Sequence, residues 1–236
     1  MIPKKIHYCW FGGNKLPAEA EKCIESWKKY CPDYEIIQWN ESNYDLEKNE
    51  YVKYTYNNKK YAFLSDYVRL DVIYNEGGVY LDTDVELIRP LDALLDDDGY
   101  IGMEQVGTIN TGQGFGAIAK HPFVKENKEF YENHSFLDEE GRFKKIICVP
   151  VSTSIMEAKG LKKENIIQMI YDMKIYPVDY FCPKVLGTNK IKLTDNTYSI
   201  HHFESSWKGS SRVARKVGYY LIPLKQRIKR ILGVKP

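Results

Sequence analysis

Long apolar runs are missing from this chain of 236 residues. No segment approaches the roughly 20 apolar residues that a membrane-spanning helix needs. Residues 1–30 contain no basic stretch followed by an apolar run, so we expect neither a secretory signal nor a membrane anchor at this end. The five cysteines are odd in number and form no C-x-x-C pair, which argues against a disulfide framework and a zinc ribbon. We therefore expect a protein of a reducing compartment.

The length is enough for one hydrophobic core, and 19 tyrosines provide many rings that can pack or stack on a ligand. Charge is unevenly distributed although the formal net charge is only +2. Residues 208–236 contain nine basic residues and no acid, whereas the rest of the chain has 25 bases and 32 acids. We therefore divide the chain into one globular domain, residues 1–207, and a basic tail, residues 208–236.

The order of elements predicts an α/β fold. A strand at Lys4 to Trp10, a helix after Pro17 and a strand at Tyr34 to Trp39 form a βαβ beginning, which predicts parallel strands with helices on both faces of the sheet. In such sheets, ligands bind beyond the carboxyl ends of the strands. Further strands are expected at residues 100–103, 115–119 and 198–203, with a helix after residue 122. The order of elements between residues 138 and 196 cannot be assigned from the pattern.

The clearest helix covers residues 60–76. Phe63, Tyr67, Leu70 and Tyr74 lie on one face, and Val68 and Val72 on the opposite face are also apolar. A helix that is apolar nearly all round is expected to be buried. Two glycines at 77 and 78 stand in the position of a helix C-cap, and the strand at residues 79–81 follows directly.

Asp82 and Asp84 flank one residue at the end of that apolar strand. Alternation along an extended chain points both carboxylates to the same side, where they can share one hard divalent cation. An isolated D-x-D is more often a solvated turn. Here it follows a strand and a buried helix, where carboxylates without a metal or a hydrogen-bond donor would be costly.

Asp66 and Arg69 are three residues apart on the helix and can therefore lie close together. One interpretation is a structural ion pair. The other is a ligand site, because the guanidinium fork suits phosphates or hydroxyls and the carboxylate suits adjacent sugar hydroxyls.

The segments Ser65 to Leu70 and Asn75 to Asp84 resemble the D-x-D signature of glycosyltransferase family 32, and Pro3 to Gly13 is similar to the first strand of that family. Capsule and exopolysaccharide sugar transferases have this pattern, and the large clostridial glucosylating toxins resemble it more distantly. The resemblance implies a GT-A fold, with a Rossmann-like mixed sheet. It also implies retaining transfer of a hexose from a nucleotide diphosphate sugar, which we expect to be a UDP-hexose, with Mn²⁺ or Mg²⁺.

The resemblance also assigns roles to matching positions. Trp10 would stack on the nucleotide base, and Asp66 would hold hydroxyls of the donor sugar. Arg69 would bind the sugar or the phosphate. Asp82 would contact the ribose and metal region, and Asp84 would ligate the metal.

Two later segments carry weaker matches. Residues 110–112 are similar to the N-x-G strand that approaches the donor sugar, which makes Asn110 a candidate donor-binding residue. Residues 201–207 resemble a closing H-x-x-x-S-W segment, in which Trp207 would cover the diphosphate. Adjacent histidines after a strand point to opposite faces. We expect His202 rather than His201 to complete the metal site, with Glu204 as a competing ligand.

Other functions fit parts of the pattern. A toxin-like effector that glycosylates proteins would share the donor site, and a metal-dependent phosphohydrolase would also use paired acids. A non-catalytic sugar-binding protein would have no nucleotide-sugar affinity, and self-glycosylation of the glycogenin kind would show in the intact mass. The expected partners are a nucleotide sugar and a saccharide or lipid-linked acceptor, and not nucleic acid.

The basic tail alternates bases with apolar and aromatic residues, and Pro223 divides it into two short amphipathic pieces. Such a pattern is typical of an anionic membrane surface. It equally fits a terminal helix packed on the domain with a solvated basic face. The first interpretation predicts a cytoplasmic protein that is peripheral on the inner face of the cell membrane.

Overall fold

The computed structural model describes residues 1–185, 188 and 190–204. Six α-helices of this part of the chain are α1 (Ala18–Tyr30), α2 (Glu50–Asn57), α3 (Tyr61–Glu76), α4 (Pro122–Asn133), α5 (Cys148–Ala158) and α6 (Val178–Phe181). Ten strands accompany them: β1 (Lys5–Cys9), β2 (Glu35–Trp39), β3 (Gly78–Tyr80), β4 (Val85–Leu87), β5 (Gly99–Gln105), β6 (Thr108–Ile109), β7 (Phe115–Ala117), β8 (Gln168–Ile170), β9 (Met173–Tyr176) and β10 (Ser199–His201). Each strand that the sequence predicts is present, with ends within two residues of the expected ones.

The main sheet is mixed, with the strand order β2-β1-β3-β7-β5-β9-β8, and β6 pairs with β5 at its side. Strands β2, β1 and β3 are parallel, as the βαβ beginning predicts. Strand β7 runs antiparallel to both β3 and β5, while β9 is parallel to β5. A separate antiparallel pair, β4 and β10, follows the D-x-D segment.

Helices cover both faces of the sheet, so the predicted α/β class is confirmed. On one face, α3 and α4 pack over apolar residues such as Ile101 and Phe115. On the other face, α1 contributes Cys23, Ile24 and Trp27 to a second apolar cluster. In the described ranges, no helix is long and apolar enough to cross a bilayer.

Helix α3 lies where the sequence predicts it and is buried nearly all round. It contacts α2, α4 and strands β1 and β3, so no side of it is left as a wide solvated face. Gly77 ends the helix with a φ of +66°, a left-handed value that favours glycine. The chain then enters β3, which brings the carboxyl end of a central strand directly to Asp82.

Candidate active site

The candidate site lies beyond the carboxyl ends of the parallel strands β1 and β3. The segment after β1 carries Trp10, and the segment after β3 carries Asp82 and Asp84. Helix α1 fixes the second segment, because Trp27 Nε1 donates a hydrogen bond of 2.7 Å to the carbonyl of Val85. The D-x-D residues are thus held between the main sheet and the β4–β10 pair.

Arg69 is the centre of the buried part of the site, and its side chain is only 4% exposed. Its guanidinium lies 3.0 Å from Asp66 Oδ1 and 2.9 Å from Asp82 Oδ1. The Tyr80 ring lies under the guanidinium carbon at 4.9 Å, and the Tyr80 hydroxyl donates to Asp82 Oδ1 at 3.0 Å. The ion pair expected on α3 is therefore present, and it extends to the first residue of the D-x-D motif.

Burial and mutual repulsion shape the charges around Arg69. Burial raises the pKa of Asp66 to about 6, because the attraction of Arg69 offsets only part of the desolvation. Burial also raises the pKa of Asp82, with Arg69 opposing it and Asp84 adding repulsion. Both acids therefore depend on the positive charge of Arg69 to remain ionised at neutral pH.

Asp84 faces a histidine instead of an arginine. His201 Nε2 lies 3.4 Å from Asp84 Oδ1, and the backbone N–H of Glu204 donates to Asp84 Oδ2 at 2.8 Å. Burial would raise the pKa of Asp84, but the charge and hydrogen bond of His201 outweigh it and lower the pKa to about 2. Burial alone would lower the pKa of His201, but the nearby charge of Asp84 raises it, and the net change is a rise.

Asp82, Asp84 and His201 form the cluster that could hold a metal ion. One ligand atom from each lies within 4.8 Å of the others. Two carboxylates and an imidazole fit a hard or borderline divalent cation, and the Asp82 and Asp84 side chains are 28% and 19% exposed, which leaves them accessible to a ligand. The donor set therefore fits the cation that the sequence resemblance implies.

The structure places His201, and not the expected His202, beside the two aspartates. His202 turns away and its Nε2 lies 2.8 Å from Glu86 Oε2, whereas His201 faces Asp84. The reason is the register of β10, in which His201 pairs with Val85 and thereby takes the buried side next to Asp84. Glu204 approaches Asp84 through its backbone N–H.

Asn110 is buried and held by hydrogen bonds on both ends of its amide. Its Nδ2 donates to Glu104 Oε2 at 2.6 Å, and its Oδ1 accepts from the N–H of Gly112 at 2.6 Å. The Cys148 thiol, at the start of α5, lies 3.9 Å from the same oxygen. The structure thus places Asn110 beside the Arg69 group, and it adds Glu104 and Cys148, which the sequence pattern does not indicate.

Gly112 brings the Asn110 segment against the D-x-D motif. Its carbonyl accepts a hydrogen bond from the N–H of Asp82 at 3.1 Å. A Cβ atom at this glycine would stand 2.3 Å from Asp82 Oδ2 and 3.1 Å from Arg69 Nη1. Only a residue without a side chain allows this approach.

Trp10 follows β1 and is half-buried, with its indole Nε1 donating to the carbonyl of Asn14 at 2.7 Å. Its ring packs at the edge of the apolar cluster that includes α1. Base stacking by Trp10 stays a prediction. Trp207 and the basic tail lie outside the described residues, and so does the boundary at residue 207.

Comparison with known proteins places the D-x-D region in a wider group. Residues 17–101 match the family described as "Glycosyltransferase sugar-binding region containing DXD motif". Inositol phosphoceramide mannosyltransferase 1 of Schizosaccharomyces pombe is 30% identical over 136 residues, which cover 52% of this chain and 40% of that protein. Human alpha-1,4-N-acetylglucosaminyltransferase is 25% identical over 162 residues, which cover 65% of this chain and 42% of that protein. The chain thus spans less than half the length of these curated relatives.

One solved structure has a similar architecture. The PaToxG glycosyltransferase superposes with a TM-score of 0.54 over 67% of this chain and 69% of that chain, at 18% identity. At this identity the likeness concerns the fold alone. It confirms the GT-A fold expected from the sequence.

Proposed function

We propose that this chain is a metal-dependent, retaining glycosyltransferase, because residues 17–101 match the family of glycosyltransferase sugar-binding regions that contain a DXD motif. It moves a hexose from a nucleotide diphosphate sugar, UDP-hexose in our proposal, to a saccharide or lipid-linked acceptor. The observation that carries the proposal is the connection of Asp66, Arg69 and Asp82 into one ion-paired group next to Asp84 and His201.

The donor sugar is proposed to lie over the Asp66 and Arg69 side of this group. Asp66 accepts hydrogen bonds from sugar hydroxyls, and Arg69 holds Asp66 in position by the 3.0 Å ion pair. Asn110 presents an amide that is already oriented by Glu104, so its direction does not have to be fixed when the donor binds. Trp10 stacks on the nucleotide base, and Trp207 covers the diphosphate.

The diphosphate is proposed to lie near Asp82, Asp84 and His201, which would hold Mn²⁺ or Mg²⁺. When bound, such a cation neutralises negative charge on the departing nucleoside diphosphate. Arg69 adds a fixed positive charge within 2.9 Å of Asp82, and a preorganised field of this kind is usually the largest contribution to catalysis. Retention at the anomeric carbon follows from the family resemblance, and we assign no covalent nucleophile.

The acceptor class is proposed from the names of the relatives. Two Schizosaccharomyces pombe relatives, at 30% and 32% identity, are named as inositol phosphoceramide mannosyltransferases, and a ceramide is a lipid. A lipid-linked acceptor fits the proposed position of this protein on the inner face of the cell membrane. The basic tail would hold it there through bases and aromatic rings at head-group depth. Deleting residues 212–236 is expected to reduce sedimentation with anionic vesicles and to leave transfer to a small soluble acceptor unchanged.

The donor site is tested by thermal-shift measurements against a panel of nucleotide sugars, with Mn²⁺, Mg²⁺ or a chelator. We expect a UDP-sugar to raise the melting temperature only with a cation, because the aspartates and the diphosphate repel each other without one. Asp84→Asn is expected to abolish both this shift and transfer while the protein stays folded. Glu86→Gln is the matched control, since Glu86 lies two residues away and faces His202. An equal shift in chelator, or an active Asp84→Asn enzyme, would contradict the metal site.

A further inference from the structure

Several large apolar side chains are exposed on this protein. In the described part of the chain they include Val106, Ile147, Ile166, Ile167, Met169, Val185, Ile191 and Leu193. Apart from Val106 they fall into three places along the chain, and two of these places also carry lysines. We call residues 144–147, together with residues 184, 185 and 190–193, the basic apolar rim.

The rim combines exposed apolar and basic side chains without an acid. Ile147 and Leu193 are 53% and 56% exposed, and Lys144, Lys145, Lys190 and Lys192 are exposed beside them in the chain. An antiparallel bridge joins Lys184 to Ile191, so the chain direction reverses between these two residues. On either side of this bridge, the side chains of residues 185 and 190–193 are exposed.

The lysines of the rim differ from several other exposed lysines in having no acidic partner in the part of the chain that the structure describes. Lys4, Lys28 and Lys53 are exposed, yet each forms a salt bridge with an acid at 2.7 Å or less. Among the described residues, no salt bridge joins a rim lysine to an acid, and the ammonium group of Lys184 donates to the backbone carbonyl of His202. The four exposed lysines at 144, 145, 190 and 192 thus direct their charge to solvent.

The rim adjoins the candidate active site on two sides. Ile147 directly precedes Cys148, whose thiol touches Asn110. Lys184 binds the carbonyl of His202, the residue after His201. One part of the rim thus lies next in the chain to Cys148, and the other contacts the backbone one residue beyond His201.

We propose that the basic apolar rim is a membrane-contacting surface that rests on an anionic bilayer. Ile147, Ile191 and Leu193 would enter the head-group region, and the lysine ammonium groups would meet lipid phosphates while their methylene stems cover apolar surface. The third exposed apolar place, residues 166–169, fits this role less well, because Lys163 is paired with Glu157 and Glu164 offsets the charge of Lys162. Charge complementarity therefore selects the rim.

This surface gives the proposed transferase a route to its acceptor, and that consequence rests on the function proposed above. A head group at the bilayer surface would reach Asn110 and the Asp84–His201 group without leaving the membrane. The membrane contact itself requires no transfer activity, so it can be tested separately.

The test is sedimentation of the full-length protein with vesicles of phosphatidylcholine mixed with phosphatidylglycerol, and with vesicles of phosphatidylcholine alone. Each base near an anionic surface contributes on the order of a fivefold gain in affinity. Lys190→Gln with Lys192→Gln is therefore expected to weaken binding to the anionic vesicles roughly tenfold or more. Ile147→Ser with Leu193→Ser is expected to weaken it as well, because apolar area leaves the interface.

The matched control is Ile167→Ser with Met169→Ser, which removes side chains that are 47% and 58% exposed on the third apolar place. It is expected to bind as the wild type does, and melting curves of all variants check that they are folded. Wild-type binding by both rim variants, an equal loss in the control, or a wild-type protein that binds no anionic vesicles would each overturn the proposal. If the wild-type protein binds anionic vesicles through the rim but transfers no sugar, the membrane surface stands and the proposed function fails.

Discussion

His7 gives a direct test of how the sheet responds to acid. The side chain is fully buried in the middle of β1. Its Nε2 lies 2.9 Å from the carbonyl of Gly77, and its Nδ1 accepts a hydrogen bond of 3.0 Å from the Trp39 indole. The neutral ring with a proton on Nε2 satisfies both partners, whereas a second proton on Nδ1 would confront the Trp39 N–H.

The size of the loss of folding stability at low pH follows from the pKa of His7. Burial lowers this pKa from 6.5 to about 4, although the Gly77 carbonyl partly opposes it. Between these two pH values the unfolded chain binds a proton at His7 that the folded protein does not bind, so folding stability falls as the pH falls. The full effect is about 3 kcal/mol, and about 2 kcal/mol of it is lost between pH 7 and pH 5.

The assay is urea unfolding followed by tryptophan fluorescence at pH 7, 6 and 5, for the wild type and His7→Gln. The variant has a lower stability at pH 7, but its amide cannot titrate in this range. The difference between the two free energies of unfolding should therefore shrink by about 2 kcal/mol from pH 7 to pH 5. His134→Gln, at an exposed histidine, is the matched control substitution. A constant difference between wild type and His7→Gln over this range would refute the reasoning.

Three further predictions concern the candidate site. His201→Asn should abolish the cation-dependent melting shift with a UDP-sugar and His202→Asn should largely keep it; the reverse result would make His202 the ligand. Gly112→Ala should lower kcat/KM by on the order of 100-fold, because Asp82 must move by a large part of an ångström to relieve a 2.3 Å contact. The substitution should also lower the melting temperature, and this loss should disappear in an Asp82→Ala background; a loss that persists there would show that another contact is responsible. Glu104→Ala should raise the donor KM, and Glu104→Gln should rescue it, since Gln can still accept from an amide; failure of the rescue would indicate a role for the charge itself.

The sequence predicts best the elements that have a long repeating pattern of apolar residues or a recognisable motif. Helix α3 repeats its apolar positions over four turns, which places Asp66 near Arg69, and the family resemblance assigns Asp82 and Asp84 to the same site. The beginning β1, α1 and β2 is predictable because Pro17 and a turn at Pro32 mark its ends.

The missed features depend on pairing between distant segments. Alternation shows that His201 and His202 face opposite ways, but only the pairing of β10 with β4 decides which one meets Asp84. Glu104 becomes a partner of Asn110 because β5 and β6 form a bulged hairpin, and nothing in the local spacing shows that contact. Strands β8 and β9 are three and four residues long, which is too short to show a period.

The sharing of Arg69 between Asp66 and Asp82 has a consequence for attempts to redesign this protein. One guanidinium balances the carboxylate proposed to read the sugar and the first carboxylate of the D-x-D motif. Neutralising Asp66 would leave Arg69 to act on Asp82 alone, and so would change the field at the proposed cation position. A library that varies residue 66 to change the donor sugar therefore also varies the affinity for the cation. Screening such a library at one metal concentration would discard variants whose sugar preference had changed as intended.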